Sequence, residues 1–204
     1  VLLVGDSITA GAVSGPSPEL LSGANGPGYA ELLVADLGAG ARVSNHALGS
    51  TRTTAWVAYL EGGGSRASGE VAVVLLGTND ALVWPERPPT ARTAFRANIR
   101  AIASGYARAF GTVMLLSPPP APAENEHASP EWTARLAAYC DEIRAACAEL
   151  ERVVCGPDLF TLLDPRADFD RGDIHPNAAG HAKIAAALAA ALRPLLAERI
   201  EEHR

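Results

Sequence analysis

The stretch Val1-Leu2-Leu3-Val4-Gly5-Asp6-Ser7-Ile8-Thr9 decides the fold. Four consecutive aliphatic residues closed by a glycine read as a strand buried on both faces, the kind found in parallel sheets. In open α/β sheets, ligands and reacting groups gather where such strands end. Ser7 is therefore expected at the mouth of a sheet.

Outward from that strand, apolar stretches recur with helical patterns between them: Arg42 to Ala47, Val71 to Leu76, Thr112 to Ser117 and Val153 to Cys155. The alternation predicts an α/β fold, a five-stranded parallel sheet wrapped by helices. Arg42 to Ala47 is polar enough for an edge, whereas the aliphatic run Val71 to Leu76 reads as central. Tyr29, Leu32, Leu33 and Leu37 share a helical face that ends at Gly38, and Phe95, Ile99, Ile102, Tyr106 and Phe110 share another that ends at Gly111. A third helix is predicted from Pro130 to Leu150, with Ser129 as N-cap and Pro130 at the first helical position. The last begins near Asn177 and runs through an alanine-rich tract. Pro16 to Pro27, Leu82 to Pro89 and Pro118 to Ser129 read as irregular. The last two follow strands directly, which predicts them as the walls of a pocket beside Ser7.

A length of 204 residues suits one domain over 1–204 with a large core. The formal net charge of −6 and the scatter of the 17 Lys and Arg residues argue against nucleic acid as a partner. No apolar segment approaches the roughly twenty residues of a membrane span. Cys140, Cys147 and Cys155 make an odd count without zinc spacing, so reduced packing cysteines are expected, with neither a disulfide framework nor a metal. The chain opens inside its first strand without Met, so location is weakly bounded: cytoplasmic is favoured if no N-terminal segment has been trimmed, and secretion stays open. Oligomeric state is not specified by these features.

A serine hydroxyl is a poor nucleophile unless a base takes its proton during attack. Far downstream, Gly172-Asp173-Ile174-His175-Pro176-Asn177 offers such a base, with an acid two residues before it and a helix-capping Asn behind. Structural or solvent roles are expected for His46, His127, His181 and His203. A tetrahedral intermediate also needs donors aimed at its oxyanion. Gly49, in Asn45-His46-Ala47-Leu48-Gly49-Ser50-Thr51, can present a backbone N–H with no side chain in the way. Asn79, in Gly77-Thr78-Asn79-Asp80, can present its amide.

Gly5-Asp6-Ser7-Ile8, Gly49, Gly77-Thr78-Asn79-Asp80 and Asp173-Ile174-His175-Pro176 stand in the order and approximate spacing of the four sequence blocks of SGNH hydrolases, also called GDSL esterases and lipases. The chain resembles that family over nearly its whole length, and Ser117-Pro118-Pro119-Pro120 resembles its arylesterase and acetylesterase branch. The resemblance implies a three-layer α/β/α, flavodoxin-like fold and hydrolysis of short-chain, acetyl-type esters without a cofactor. It implies Ser7 as nucleophile, His175 as general base and an oxyanion hole from the Ser7 N–H, the Gly49 N–H and the Asn79 side chain. In one place the chain departs from the pattern: the family's Asp stands three residues before the His, where this chain has Gly172. Asp173 is expected to orient His175 instead, since residues two apart in an extended segment point to the same side; Asp170 or a backbone carbonyl could do so too.

Other chemistries lack parts. A phosphatase using Asp6 would need a second acid at Ile8, an NTPase would need Gly-Lys-Ser or Gly-Lys-Thr, and an α/β-hydrolase elbow would need Gly at Thr9. A metallohydrolase holding its ion on Asp173 and His175 has no evident third ligand. A thioesterase or lysophospholipase on the same site stays open, as does a catalytically weak carbohydrate-binding module. Trp56, Trp84, Trp132 and Tyr29 could line an acyl or sugar pocket, although large aromatics at such positions more often anchor a core.

Overall fold

The computed structural model describes residues 1–21, 23–38, 41–83, 86–125 and 127–202, with side chains as far as residue 197. In chain order the elements are β1 (Leu2–Gly5), α1 (Ser7–Ala10), α2 (Tyr29–Leu37), β2 (Ser44–Asn45), α3 (Thr53–Glu61), β3 (Gly69–Leu75), α4 (Thr78–Ala81), α5 (Arg92–Ala107), β4 (Phe110–Leu116), α6 (Pro130–Glu149), β5 (Val153–Cys155), α7 (Leu159–Leu162) and α8 (Ala178–Glu202). The five strands form one all-parallel sheet in the order β2-β1-β3-β4-β5. This is the flavodoxin-like order, in which the chain leaves β1 for one edge and then crosses to the other side. The loops after β1 and β3 part at that reversal and open a crevice between them.

Side-chain alternation builds both faces of the sheet at once. Val71, Val73 and Leu75 of β3 join Met114 and Leu116 of β4 on the face covered by α2 and α8, while Ala72, Val74, Val113 and Leu115 join the face covered by α3, α5 and α6. With both faces buried, an aliphatic residue is favoured at every position, which is why these strands lack a polar stripe. Trp56, Trp132 and Tyr29 are core anchors, each at most 2% exposed. Trp84 lies outside the described residues.

The helix ends follow the predicted signals closely. Ser129 Oγ accepts from Trp132 N–H at 3.1 Å with Pro130 opening α6, and Gly38 closes α2. Phe110 is a correction: it opens β4 rather than closing α5, which is capped at Arg108. Its ring packs edge-on to Tyr106 at 6.0 Å, so the apolar spacing runs on past the last helical turn into the strand. A second correction concerns the cysteines. Cys147 and Cys155 form a disulfide with Cα atoms 5.5 Å apart, tying the end of α6 to β5, while Cys140 remains a buried free thiol. Sequence count treats cysteines as interchangeable; here the short α6–β5 connection sets two of them face to face.

Candidate active site

β1 ends on a glycine because nothing larger fits: a Cβ at Gly5 would sit 2.8 Å from the Leu75 carbonyl oxygen and 2.1 Å from Thr9 Oγ1. Asp6 then leaves the strand and caps α1, its Oδ1 accepting from Ile8 N–H at 3.0 Å. Ser7 becomes the first residue of a short helix at the C-terminal edge of the sheet, beside the crevice.

The partner histidine arrives from the other end of the chain. Ser14 N–H donates to the Pro176 carbonyl at 3.1 Å, and Asp170 N–H donates to Ser14 Oγ at 3.1 Å, so the loop after α1 is stitched to the segment entering α8. Asn177 Oδ1 accepts from Gly180 N–H at 3.0 Å and caps α8. Between these fixed points His175 Nε2 lies 2.8 Å from Ser7 Oγ, although the two residues are 168 positions apart. His175 Nδ1 lies 2.7 Å from Asp173 Oδ1.

Asp173 reaches the ring by a route other than the extended segment expected. Residues 174 and 175 bend, and the carboxylate folds back so that Oδ1 also accepts from Ile174 N–H at 2.6 Å and His175 N–H at 3.0 Å. Burial pushes this carboxyl up, but the His175 side-chain and backbone bonds outweigh it and hold it below the ordinary carboxylate range. Asp170 makes no hydrogen bond or ion pair with His175 among the described residues. Gly172, where the family pattern has its acid, is in the left-handed region at φ 83°.

The loop after β3 brings Asn79 to the same place. Gly77 turns the chain at φ 128° and opens α4, which puts the Asn79 side chain on the crevice at 7% exposure, its amide donating to Asp6 Oδ2 at 3.2 Å. The neighbouring Asp80 carboxylate is wholly buried and accepts from Thr53 N–H at 3.0 Å and Thr53 Oγ1 at 2.6 Å. Burial raises its pKa, opposed by those Thr53 bonds. Asp80 thereby ties the Asn79 loop to the start of α3, and hence to the loop carrying Gly49. A Cβ at Gly49 would meet only open space, and the next residue, Ser50, holds a left-handed backbone at φ 58°. For a residue other than glycine that conformation is sparsely populated and recurs at ligand-facing loops.

Ser7, Gly49, Ser50, Asn79 and His175 line one cavity of about 550 Å³, completed by Ala12, Ile174 and the segment Pro18-Glu19-Leu20-Leu21. The wall thus comes from the first irregular stretch. The two stretches expected to form it do other work, and none of their described residues lines the cavity. Arg52 bonds the carbonyls of Arg87 and Pro88, and Thr90 N–H bonds the Asp80 carbonyl, which fold 86–90 against the start of α3. The Pro118 to Ser129 loop lies behind the histidine segment, where the Glu124 carbonyl accepts from Gly172 N–H and the Asn125 amide donates to the Gly172 carbonyl, each at 3.0 Å. Nothing in the sequence signalled that Asn125, Ser14 and Asp80 would be the residues joining these loops.

The other histidines stand apart from this group. His181 is wholly buried, accepting Tyr29 N–H on Nδ1 at 3.0 Å and facing the Ala12 carbonyl through Nε2 at 2.8 Å; burial pulls it down to about 4, so it packs as a neutral ring. His46 is exposed just past the end of β2, and His127 N–H bonds Asn125 Oδ1. His203 lies outside the described residues. Among the described residues no three His, Cys, Asp or Glu side chains are grouped to hold a metal ion.

The serine, the histidine and the acid thus stand in one hydrogen-bonded line at the C-terminal edge of the parallel sheet. The profile of the GDSL-like lipase/acylhydrolase family matches residues 3–183. The chain belongs to that family. As a GDSL-like acylhydrolase it is a carboxylic ester hydrolase, and its sheet is that of the SGNH fold. Among solved structures it is similar to the acetylxylan esterase Axe2 of Geobacillus stearothermophilus, at 23% identity and a TM-score of 0.70 over 95% of this chain and 92% of that one. It is also similar to the aryl esterase of M. smegmatis, at 18% identity and a TM-score of 0.71 over 95% and 98%, and to a lipase/acylhydrolase of Enterococcus faecalis, at 20% identity and a TM-score of 0.70 over 97% and 95%. At these identities the likeness is one of fold. No curated protein sequence matches the chain. No helix among the described residues is long and apolar enough to cross a membrane.

Proposed function

We propose that this esterase hydrolyses short-chain, acetyl-type esters by way of an acyl group carried on Ser7. The observation that carries the reading is the line Ser7 Oγ, His175 Nε2, His175 Nδ1, Asp173 Oδ1, with separations of 2.8 and 2.7 Å at its two polar contacts. Ser7 Oγ attacks the ester carbonyl while His175 Nε2 takes its proton. The negative charge that forms on the carbonyl oxygen is met by the Ser7 N–H, the Gly49 N–H and the Asn79 amide, and the imidazolium is met by Asp173. The intermediate collapses as His175 returns the proton to the departing alcohol. Water then attacks the acyl carbon as His175 Nε2 takes its proton, the bond to Ser7 Oγ breaks, and the proton passes from His175 back to Ser7 Oγ as the acid leaves.

The small neighbours of Ser7 on the cavity wall, Ala12, Gly49 and Ser50, suit a short acyl group, and the Leu20-Leu21 side offers apolar contact to the remainder of the substrate. An organophosphate that labels reactive serines should be found by mass spectrometry on the peptide containing Ser7, and Ser7→Ala should abolish both labelling and release of p-nitrophenol from p-nitrophenyl acetate beyond a small residue. An adduct elsewhere, or full turnover by the variant, refutes the assignment. A panel of acetyl, octanoyl, thioester and lysophospholipid substrates tests the acyl preference, which fails if the acetyl ester is not among the faster ones.

A further inference from the structure

Asp6 is 1% exposed and engages both carboxylate oxygens, Oδ1 with Ile8 N–H at 3.0 Å and Oδ2 with the Asn79 side-chain nitrogen at 3.2 Å. The first bond caps α1. The second has another consequence, because the two ends of a carboxamide are alike in size and opposite in chemistry: the nitrogen donates two hydrogens and the oxygen only accepts. If the Asn79 amide turned over, it would aim a carbonyl dipole at the place where the oxyanion forms. Packing cannot tell the two orientations apart, but an acceptor on one side can.

We infer that Asp6 is a positioning residue that fixes which end of the Asn79 amide faces the cavity. This rests on the proposed role of Asn79 as an oxyanion donor. Burial pushes the Asp6 carboxyl up to about 6, opposed by the Ile8 N–H, so at pH 8 it is ionised and can only accept. Asn79 must then offer nitrogen to Oδ2, and the second hydrogen on that nitrogen is left for the cavity. Asp6 also faces His175, Asp80 and Tyr29 electrostatically, so an effect of its charge on the imidazolium has to be separated from an effect on the amide.

The test is a double-mutant cycle on the purified protein with p-nitrophenyl acetate at pH 8. Asn79→Ala alone should lower kcat by roughly 10² to 10³ with KM little moved. Asp6→Asn keeps an oxygen for Ile8 N–H but turns an NH2 group toward Asn79, forcing the amide over, and should lower kcat by a similar factor. Asp6→Ser keeps a good helix cap and merely releases the amide, so its loss should be smaller than that of Asp6→Asn. In the Asn79→Ala background, Asp6→Asn should change kcat by no more than about twofold, the scatter of independent sites. If Asn79→Ala leaves kcat intact, the oxyanion reading itself falls and the inference with it. If Asn79→Ala is impaired but Asp6→Asn costs the same factor in both backgrounds, or Asp6→Ser is the worse of the two, the inference alone falls and Asp6 acts through His175 or through folding. Should Asp6→Asn not fold, the cycle is run with Asp6→Ser, whose loss must vanish in the Asn79→Ala background.

Discussion

Replacing Asp173 by Asn should be less damaging than replacing it by Ala, and the reason lies in which oxygen does the holding. Oδ1 alone accepts from Ile174 N–H, His175 N–H and His175 Nδ1, at 2.6, 3.0 and 2.7 Å. An Asn placed in the same fold keeps its oxygen under the two backbone donors, so it can still accept from Nδ1–H and preserve the tautomer that leaves Nε2 free for Ser7. What it loses is the charge opposite the imidazolium. Two unit charges about 4 Å apart interact by about 4 kcal/mol at an effective dielectric of 20. The Asp173 side chain is 23% exposed, which screens part of this. A loss of roughly 10² to 10³ in kcat/KM is therefore expected for Asp173→Asn, at about 1.4 kcal/mol per tenfold. Asp173→Ala removes the acceptor as well and should approach the roughly 10⁴ seen when a triad histidine loses its correct tautomer. Initial rates on p-nitrophenyl acetate from pH 6 to 9, with Asp170→Asn as a control expected to be near wild type, measure all three. Equal damage from Asn and Ala refutes the anchored-oxygen argument, and near-normal activity in both would leave a Ser–His pair oriented by something else.

Three further outcomes concern stability. Glu142 is 3% exposed by side chain and held by Arg92 and Arg96 across α5 and α6, while both arginines are more than half exposed; removing both arginines takes away both partners of the carboxylate and should lower stability in urea unfolding, whereas Glu142→Ala, which releases arginines already near water, should cost less. The opposite order would show that the arginine stems, not the ion pairs, carry the contact. The Cys147–Cys155 disulfide closes a loop of sequence separation 8, so Cys147→Ser should lower stability by about 2 to 3 kcal/mol and make the unfolding midpoint indifferent to reductant; an unchanged midpoint refutes this. The third outcome is a pH dependence: His181, at about 4 when folded and near 6.5 otherwise, leaves the unfolded chain binding the extra proton, so it removes stability as pH falls from 6.5 to 4. Asp6, at about 6 when folded and 3.8 otherwise, binds its proton first in the folded state and adds stability as pH falls from 6 to 4. The two contributions nearly cancel, so Asp6→Asn should expose an acid-side loss of about 2 kcal/mol between thermal melts at pH 7 and pH 4.5; parallel curves for variant and wild type refute the assignment.

Much of this arrangement is legible in the order of residues, and the part that is not has a common physical character. The strands could be read because burial on both faces leaves only aliphatic residues, and the long helices because an apolar face and a cap are local signals; Ser129-Pro130 and Gly38 are cases in point. The helices α1, α4 and α7, four residues each, are too short to have a period. α3 buries only Thr53 and Trp56 and shows no stripe to detect. Ser7, His175, Gly49 and Asn79 could be proposed because each stands in a recognisable block just past a strand or before a helix. The cavity wall could not, since Pro18 to Leu21 has the composition of any surface loop and takes its place through bonds from elsewhere: Val13 N–H to the Leu20 carbonyl, the Asn25 side chain to Val13 and Ser17, and Ser14 paired with Asn177 and Pro176 far along the chain.

The same reasoning explains why the polar residues outside the blocks matter to the blocks. The crevice is lined largely by connections between the regular elements, among them the long ones between α1 and α2 and between α7 and α8, and such segments lack a helix or strand ladder to fix their conformation. Rigidity is supplied instead by buried polar groups whose unpaired state would be costly, about 1 to 3 kcal/mol for each group left without a partner. Asp80 locks the Asn79 loop to the start of α3, Asn125 and Glu124 hold Gly172 from behind, and Ser14 clamps the entry to α8. A line of atoms meeting at 2.8 and 2.7 Å across 168 positions of sequence requires errors well under an ångström at both ends. Partners fixed by pairwise bonds between distant loops leave no periodic trace, and they set the distances on which the proposed chemistry at Ser7 depends.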